Sequence, residues 1–265
     1  DIPEDKLLLR ALEDVNVPKF LKDDIPLFKN IIKDLFPTTE RPQTDLGNLI
    51  NRIKENCIET NLRPEEPFVQ KVIQLYDTIQ VRHGLMIVGP SGGGKTKNWT
   101  ILMKSITDLA DGTKFFPTEA TVINPKSIRK EQLYCELDKN TMEWSNGIIP
   151  LNIVNINQDT TGSKKYWIIL DGPVDTLWIE DMNSVLDDSK KLCLTSSAII
   201  TLNENISMLF EVEDLLHASP ATVSRCGMVY MEPEAMGITP LYDSWLNTIP
   251  PSLIRPNASY NVQAR

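Results

Sequence analysis

The sequence has 265 residues, enough for one large domain or two ordinary ones. Hydrophobic residues make up 41% and charged residues 24%, a balance that supports a packed core and excludes wholesale disorder. Asp and Glu outnumber Lys and Arg by 36 to 27, for a net charge of −9, which argues against a nucleic-acid partner. No apolar run approaches the roughly 18–20 residues of a membrane span, so no membrane partner is expected either. The opening DIPEDKLLLR is acidic, carries a Pro and lacks a starting Met, which is wrong for a signal peptide and predicts a piece of a longer chain. The cysteines Cys57, Cys135, Cys193 and Cys226 are scattered, with only His83 and His217 beside them, so they read as reduced thiols and not as a zinc or disulfide framework.

Prolines crowd the first quarter. Between them, Leu7–Val15, Asp24–Leu35 and Leu46–Ile58 read as short amphipathic helices, each ended by Pro, which removes a helical hydrogen bond. Phe68–Ile79 has the spacing of a further helix, so residues 1–80 form a helical lead-in. From residue 84 short apolar runs alternate with helical patterns. Gly84–Val88, Ala120–Asn124, Tyr166–Leu170, Ser207–Val212 and Gly227–Met231 are strand candidates, too short for helices and rich in branched or aromatic residues. Thr96–Leu109, Ser127–Leu137, Asp175–Leu186 and Pro220–Arg225 read as helices between them. This alternation predicts an α/β unit over 81–235, a five-stranded, mostly parallel sheet flanked by helices. Lys191–Leu202 fits a hairpin with Thr-Ser-Ser at its turn. Residues 236–265 thin into a Pro-bearing stretch, the start of a connection to whatever follows.

The strongest signal is Gly89-Pro90-Ser91-Gly92-Gly93-Gly94-Lys95-Thr96, a GxxxxGK[ST] phosphate loop with a strand before it and a helix after it. Glycines let backbone N–H groups turn inward on a phosphate, and the following helix start adds positive potential. Lys95 would reach the β- and γ-phosphates, and Thr96 would offer its hydroxyl to Mg²⁺. Asp171, closing the run YWIILD, is a candidate to orient the water shell of that ion. The next residues, Gly172 and Pro173, supply no general base, and Asp175 reads more simply as a helix N-cap. The fourth strand ends in Glu211, Glu213 and Asp214, carboxylates that would repel a triphosphate unless balanced; solvent exposure and pairing to a neighbour both stay open. Trp178, Met182, Val185 and Leu186 fall at core spacing, Glu180, Asp181, Asp187 and Asp188 read as a solvated helix face, and His83 as a packing residue.

HGLMIVGPSGGGKT, DGPVDTLWIEDMNSVLDDSKKLCL and FEVEDLLHASPATVSRCGMVYMEP together resemble the second AAA+ module of a dynein heavy chain, with SPATVSRCG and KKLCL nearer the axonemal branch. NVPKFLKDDIPLFKNIIKDLFP resembles the helical passage entering that module, so the likeness spans about residues 7–250. The resemblance implies an AAA+ phosphate-loop NTPase fold within an ATP-driven ring motor of the axoneme, in the cilium or flagellum. It implies ATP bound at Gly89–Thr96 with Mg²⁺ served by Thr96 and Asp171, held structurally with little hydrolysis. It further implies that Arg225, within SPATVSRCG, is an arginine finger reaching the preceding module, although an ordinary surface ion pair explains a lone Arg as well. Neighbouring AAA+ modules, intermediate and light chains, and microtubules would be partners through the parent motor. Competing readings are an independently hydrolysing AAA+ remodelling ATPase using a substitute base such as Asp175, a phosphoryl-transfer kinase, for which no Arg-rich lid segment is evident, and a structural spacer.

Overall fold

A computed structural model describes residues 3–16, 20, 24–37 and 46–250. In chain order it contains α1 (Glu4–Asn16), α2 (Asp24–Leu35), α3 (Gly47–Glu59), α4 (Glu66–Val81), β1 (Gly84–Val88), α5 (Lys95–Asp108) and β2 (Thr118–Ile123). Then follow α6 (Lys130–Leu133), β3 (Cys135–Leu137), β4 (Trp144–Asn146), α7 (Ile148–Asn157) and β5 (Lys165–Asp171). Next come α8 (Thr176–Ile179), a 3₁₀ turn (Glu180–Met182), α9 (Asn183–Leu186), β6 (Lys191–Cys193), β7 (Ile199–Thr201) and β8 (Ile206–Val212). The last elements are α10 (Pro220–Arg225), β9 (Gly227–Tyr230), α11 (Pro233–Met236) and α12 (Thr239–Thr248). The lead-in helices lie where proline spacing predicts. Pro26 sits in the first turn of α2, where its missing N–H costs nothing. The breaks expected at Pro18 and Pro42, and the stretch beyond Pro250, lie outside the described residues.

The five expected strands form one sheet in the order β2-β5-β8-β1-β9, every pair parallel. Side-chain alternation gives this sheet two apolar faces, as a parallel sheet covered on both sides requires. One face carries Met86, Val88, Ile168, Leu170, Met208 and Phe210 against Trp178, Met182, Val185 and Leu186, which are core as their spacing suggests. The other carries Leu85, Ile87, Trp167, Ile169 and Leu209 against α3, α4 and α5. Helix α4 turns Phe68, Val69, Val72, Leu75 and Tyr76 inward, an i, i+4, i+7 stripe, and α3 does the same with Leu49, Ile53 and Cys57. Each such fully buried aliphatic side chain is worth about 1.5–3 kcal/mol. Buried Asn56 fastens α3 to α5 by donating to Ser105 Oγ and Asp108 Oδ2, both at 3.0 Å. Helices α3 and α4 thus form one wall of the sheet's core.

Three expectations change. The helix expected over Ser127–Leu137 lasts only from Lys130 to Leu133, after which β3 pairs antiparallel with β4. The turn between them is set by Asp138, whose Oδ1 accepts from the Asn140 and Thr141 N–H groups, a local bond that competes with helix. The single helix expected over Asp175–Leu186 is α8, the 3₁₀ turn and α9 in succession. Helix α7 was not among the expected elements: it carries Pro150 in its first turn, where the missing N–H costs nothing, and buries Ile149 and Ile153. The hairpin over Lys191–Leu202 forms as expected, with β6 against β7 and Ser197 in a left-handed turn position at φ 65°.

Candidate nucleotide-binding site

The phosphate loop leaves the carboxyl end of β1, flanked by β8 on one side and β9 on the other. Gly94, at φ 84°, is the left-handed N-cap from which α5 starts, a geometry that glycine adopts without strain. Gly89 meets a different demand: a Cβ there would lie 2.5 Å from the Met231 carbonyl oxygen, so only glycine lets the loop pass the end of β9. The start of the 14-residue α5 therefore points its free N–H groups into the loop, where a phosphate is electrostatically matched. Buried Lys95 donates from Nζ to the loop carbonyls of Gly89 at 2.8 Å and Pro90 at 3.1 Å. These contacts hold the ammonium at the cradle.

Asp171 ends β5 and pairs in register with Glu211 of β8, about 4.8 Å away across the sheet. By alternation both project on the α5 face, since Ile169 and Leu209, two residues before each, pack on that side. Asp171 is exposed and Glu211 is buried. The Thr96 hydroxyl donates to Glu211 Oε1 at 2.5 Å, and the Trp99 indole N–H donates to Oε2 at 3.0 Å. The choice left open for the fourth-strand acids is thereby resolved: Glu211 pairs with neighbours, while Glu213 and Asp214 face solvent, Asp214 accepting from the Leu216 N–H. Sequence reasoning missed the Glu211–Thr96–Trp99 cluster. The signal was present in the two-residue period of LFEV, which puts Glu211 on the same face as Leu209. Thr96, Asp171 and Glu211 are hard oxygen donors gathered beside a phosphate cradle, a set that fits Mg²⁺ shared with bound phosphates.

The other candidates are dispersed. Asp175 caps α8 through the Leu177 N–H at 2.9 Å and pairs with Lys126 at 2.6 Å. Those two contacts, the N–H first, hold its carboxyl below the ordinary range. Arg225, at the end of α10, is two-thirds buried; its guanidinium pairs with Asp187 and donates to the Ala221 carbonyl at 2.8 Å. Asp187 is thus an ion-pair partner, as is Asp181, which binds Lys130 at 2.7 Å, so the acidic face is only partly solvated. His83 packs as expected, its Nε2 2.8 Å from the Val185 carbonyl, and burial lowers its pKa. All four thiols are free, and burial raises Cys57 to about 11 and Cys226 to about 12. Next to the loop, an apolar recess of about 560 Å³ opens between Leu62, Phe68, Gly94, Met236, Ile238 and Leu241. It joins the α3–α4 connection to α11 and α12, elements too short or exposed for the sequence to mark as a site.

A sequence profile described as "Hydrolytic ATP binding site of dynein motor region" matches residues 1–96, which include the whole phosphate loop and stop short of Asp171. Similarity to individual proteins runs much further. The chain is 49% identical over 258 residues to dynein axonemal heavy chain 1 of Rattus norvegicus, covering 96% of this chain and 6% of that protein. It is 47% identical over 264 residues to dynein axonemal heavy chain 6 of Homo sapiens, covering 98% and 6%. With dynein axonemal heavy chain 12 of Homo sapiens it shares 45% over 256 residues, covering 96% and 8%. The chain spans only 6–8% of the length of these relatives. An α/β phosphate-loop unit with a five-stranded parallel sheet, it is related over nearly its whole length to one segment of the axonemal dynein heavy chains.

Proposed function

We propose that the chain is an ATP-binding AAA+ module, the second, of an axonemal dynein heavy chain, and that it holds Mg–ATP with little hydrolysis. The observation that carries this reading is the state of the carboxylates around Thr96. Asp171 is followed by Gly172 and Pro173, Asp175 is occupied as a cap and in a Lys126 pair, and both oxygens of Glu211 already accept hydrogen bonds. Among the described residues, the carboxylates nearest Thr96 are thus given to Mg²⁺, to a helix cap or to hydrogen bonds, and Gly172 and Pro173 put no base directly after Asp171. The loop N–H groups and Lys95 would bind the phosphates, and the recess beside Phe68 and Met236 would take the base and ribose. Thr96 and Asp171 would hold Mg²⁺, with Glu211 orienting the Thr96 hydroxyl. Bound magnesium supplies the positive charge that lets a triphosphate sit beside Asp171 and Glu211.

Arg225 would serve the nucleotide of the preceding module by exchanging Asp187 for a phosphate. Its position at the end of α10, one-third exposed, supports that role. Neighbouring modules, intermediate and light chains and microtubules would be engaged through the parent motor, in the axoneme of a cilium or flagellum. A second reading has its own support: the matching profile is described as hydrolytic, and Glu211 is a buried carboxylate touching Thr96. In that reading Glu211 would activate water. Nucleotide extracted from the purified full-length protein decides between them. The first reading expects one equivalent of ATP that disappears in a Lys95→Ala variant; the second expects ADP in that equivalent.

A further inference from the structure

A second cavity, of about 580 Å³, opens at the amino-terminal edge of the sheet, the end opposite the phosphate loop. Residues preceding or beginning β1, β2, β5 and β8 form its floor, and the end of α4 with the connections that follow α4 and α9 forms its walls. Besides exposed Lys114, three cations line it: Arg82 after α4, Lys165 at the start of β5 and Lys190 ahead of β6. All three are half-buried. None lies within ion-pair distance of a carboxylate among the described residues; Lys165 Nζ instead donates to Asn205 Oδ1 at 2.7 Å and lies 5.6 Å from the centre of the Phe116 ring. The two acids of the cavity, Asp188 and Glu204, are exposed to water.

This arrangement is unusual for a chain with a net charge of −9. Partly desolvated cations are normally paired, because each loses hydration that a partner must replace. Here mutual repulsion adds to the cost: burial lowers the Lys165 pKa, and the Lys190 charge adds to that against the pull of Glu204. Lys165 on β5 and the segment entering β1 are separated by one intervening strand, β8, so they stand about 10 Å apart. One ligand with two separated anionic groups spans that distance.

We propose that this cavity is a binding site for a small ligand bearing two or more phosphate or carboxylate groups, held by Arg82, Lys165 and Lys190. Arg82 offers a planar fork for one group and the two lysines act as point charges on the other. The site is independent of the phosphate loop, which lies at the other end of the strands.

The test is lysine-acylation footprinting of the full-length protein, read by peptide mass spectrometry, with Mg–ATP saturating the phosphate loop. Pyrophosphate and tricarballylate are the probes, magnesium is kept in excess, and ionic strength is matched with chloride. Acylation of Lys165 and Lys190 should slow several-fold with at least one probe while exposed Lys139 is unaffected. An Arg82→Gln variant should need about tenfold more probe for half-protection, the equivalent of one lost charge-assisted hydrogen bond. Protection by pyrophosphate alone assigns the ligand to the phosphates, and protection by tricarballylate alone to the carboxylates. No protection by either at millimolar concentration, or equal protection of Lys139, overturns the proposal. A Lys95→Ala variant, defective in the loop, should retain the protection; its loss there would also overturn the proposal, by showing that the effect travels from the nucleotide.

Discussion

Replacing Glu211 by Ala tests the cluster behind the phosphate loop. The side chain is 8% exposed and accepts from the Thr96 hydroxyl and the Trp99 indole, which belong to the first turns of α5. Hydrogen bonds to a charged acceptor contribute about 1.5–3 kcal/mol each, and the buried indole N–H would be left without a partner. Against this stands the relief of no longer desolvating a carboxylate, so a net loss of about 2–3 kcal/mol is expected for the β8–α5 contact. Glu211→Gln is the control. Its amide oxygen accepts from the indole and its NH₂ donates to the Thr96 hydroxyl, keeping both contacts at a cost under about 1 kcal/mol. Hydrogen exchange of the full-length protein, read on peptides from 95–108 and 206–212, reports this local opening. Exchange should rise about 30-fold or more in the Ala variant and at most about fivefold in the Gln variant. Equal exchange in the Ala variant and the parent would refute the reasoning; equally fast exchange in both variants would show that charge, not hydrogen bonding, holds the cluster.

Other consequences follow from single contacts. On the proposed reading, Asp175→Asn should leave ATP turnover by the full-length protein unchanged, because Asn also caps a helix and Asp175 is assigned no catalytic task; a large drop would restore it as a base. Arg225→Ala should slow motor turnover, by analogy with arginine fingers worth about 10³–10⁵ in rate, while the nucleotide at Gly89–Thr96 stays bound; unchanged turnover would leave Arg225 as a structural partner of Asp187. His83 has a folded pKa pushed below its ordinary value by burial, with Lys190 and Arg82 acting in the same direction and the Val185 carbonyl and Asp188 opposing. Below about pH 6.5 the unfolded segment therefore binds a proton that the folded one resists, and local stability falls as the pH drops from about 7 to 5. A His83→Asn variant should lose that dependence in exchange of residues 84–88, after correction for intrinsic rates.

Much of this was legible in the sequence because the relevant patterns are local. The central strands β1, β5 and β8 are short, branched and buried on both faces, and GxxxxGK[ST] fixes a loop whose glycines are needed at Gly89 and Gly94. What could not be read depends on residues distant in sequence. The Thr96–Glu211 bond joins positions 115 residues apart, and the Arg225–Asp187 pair joins positions 38 apart. The small hairpin of β3 and β4 was hidden because helix-favouring residues precede it, while Asp138 sets its turn and Gly147 lets the strand end pass the Gln132 carbonyl, where a Cβ would lie 2.5 Å away. Helix α7 bears Pro150 harmlessly because that residue falls in its first turn, a placement that only the start of the helix at Ile148 defines. The recess beside the loop needs α11 and α12, which bury too little to leave a clear periodic pattern.

The central claim is that this site keeps ATP. Its most direct test is a cryo-electron microscopy map of the full-length protein after its ATP has been consumed and ADP added in excess. The account predicts density for a γ-phosphate and Mg²⁺ between Gly89–Thr96 and Asp171. ADP alone in that cradle, in most particles, would contradict it.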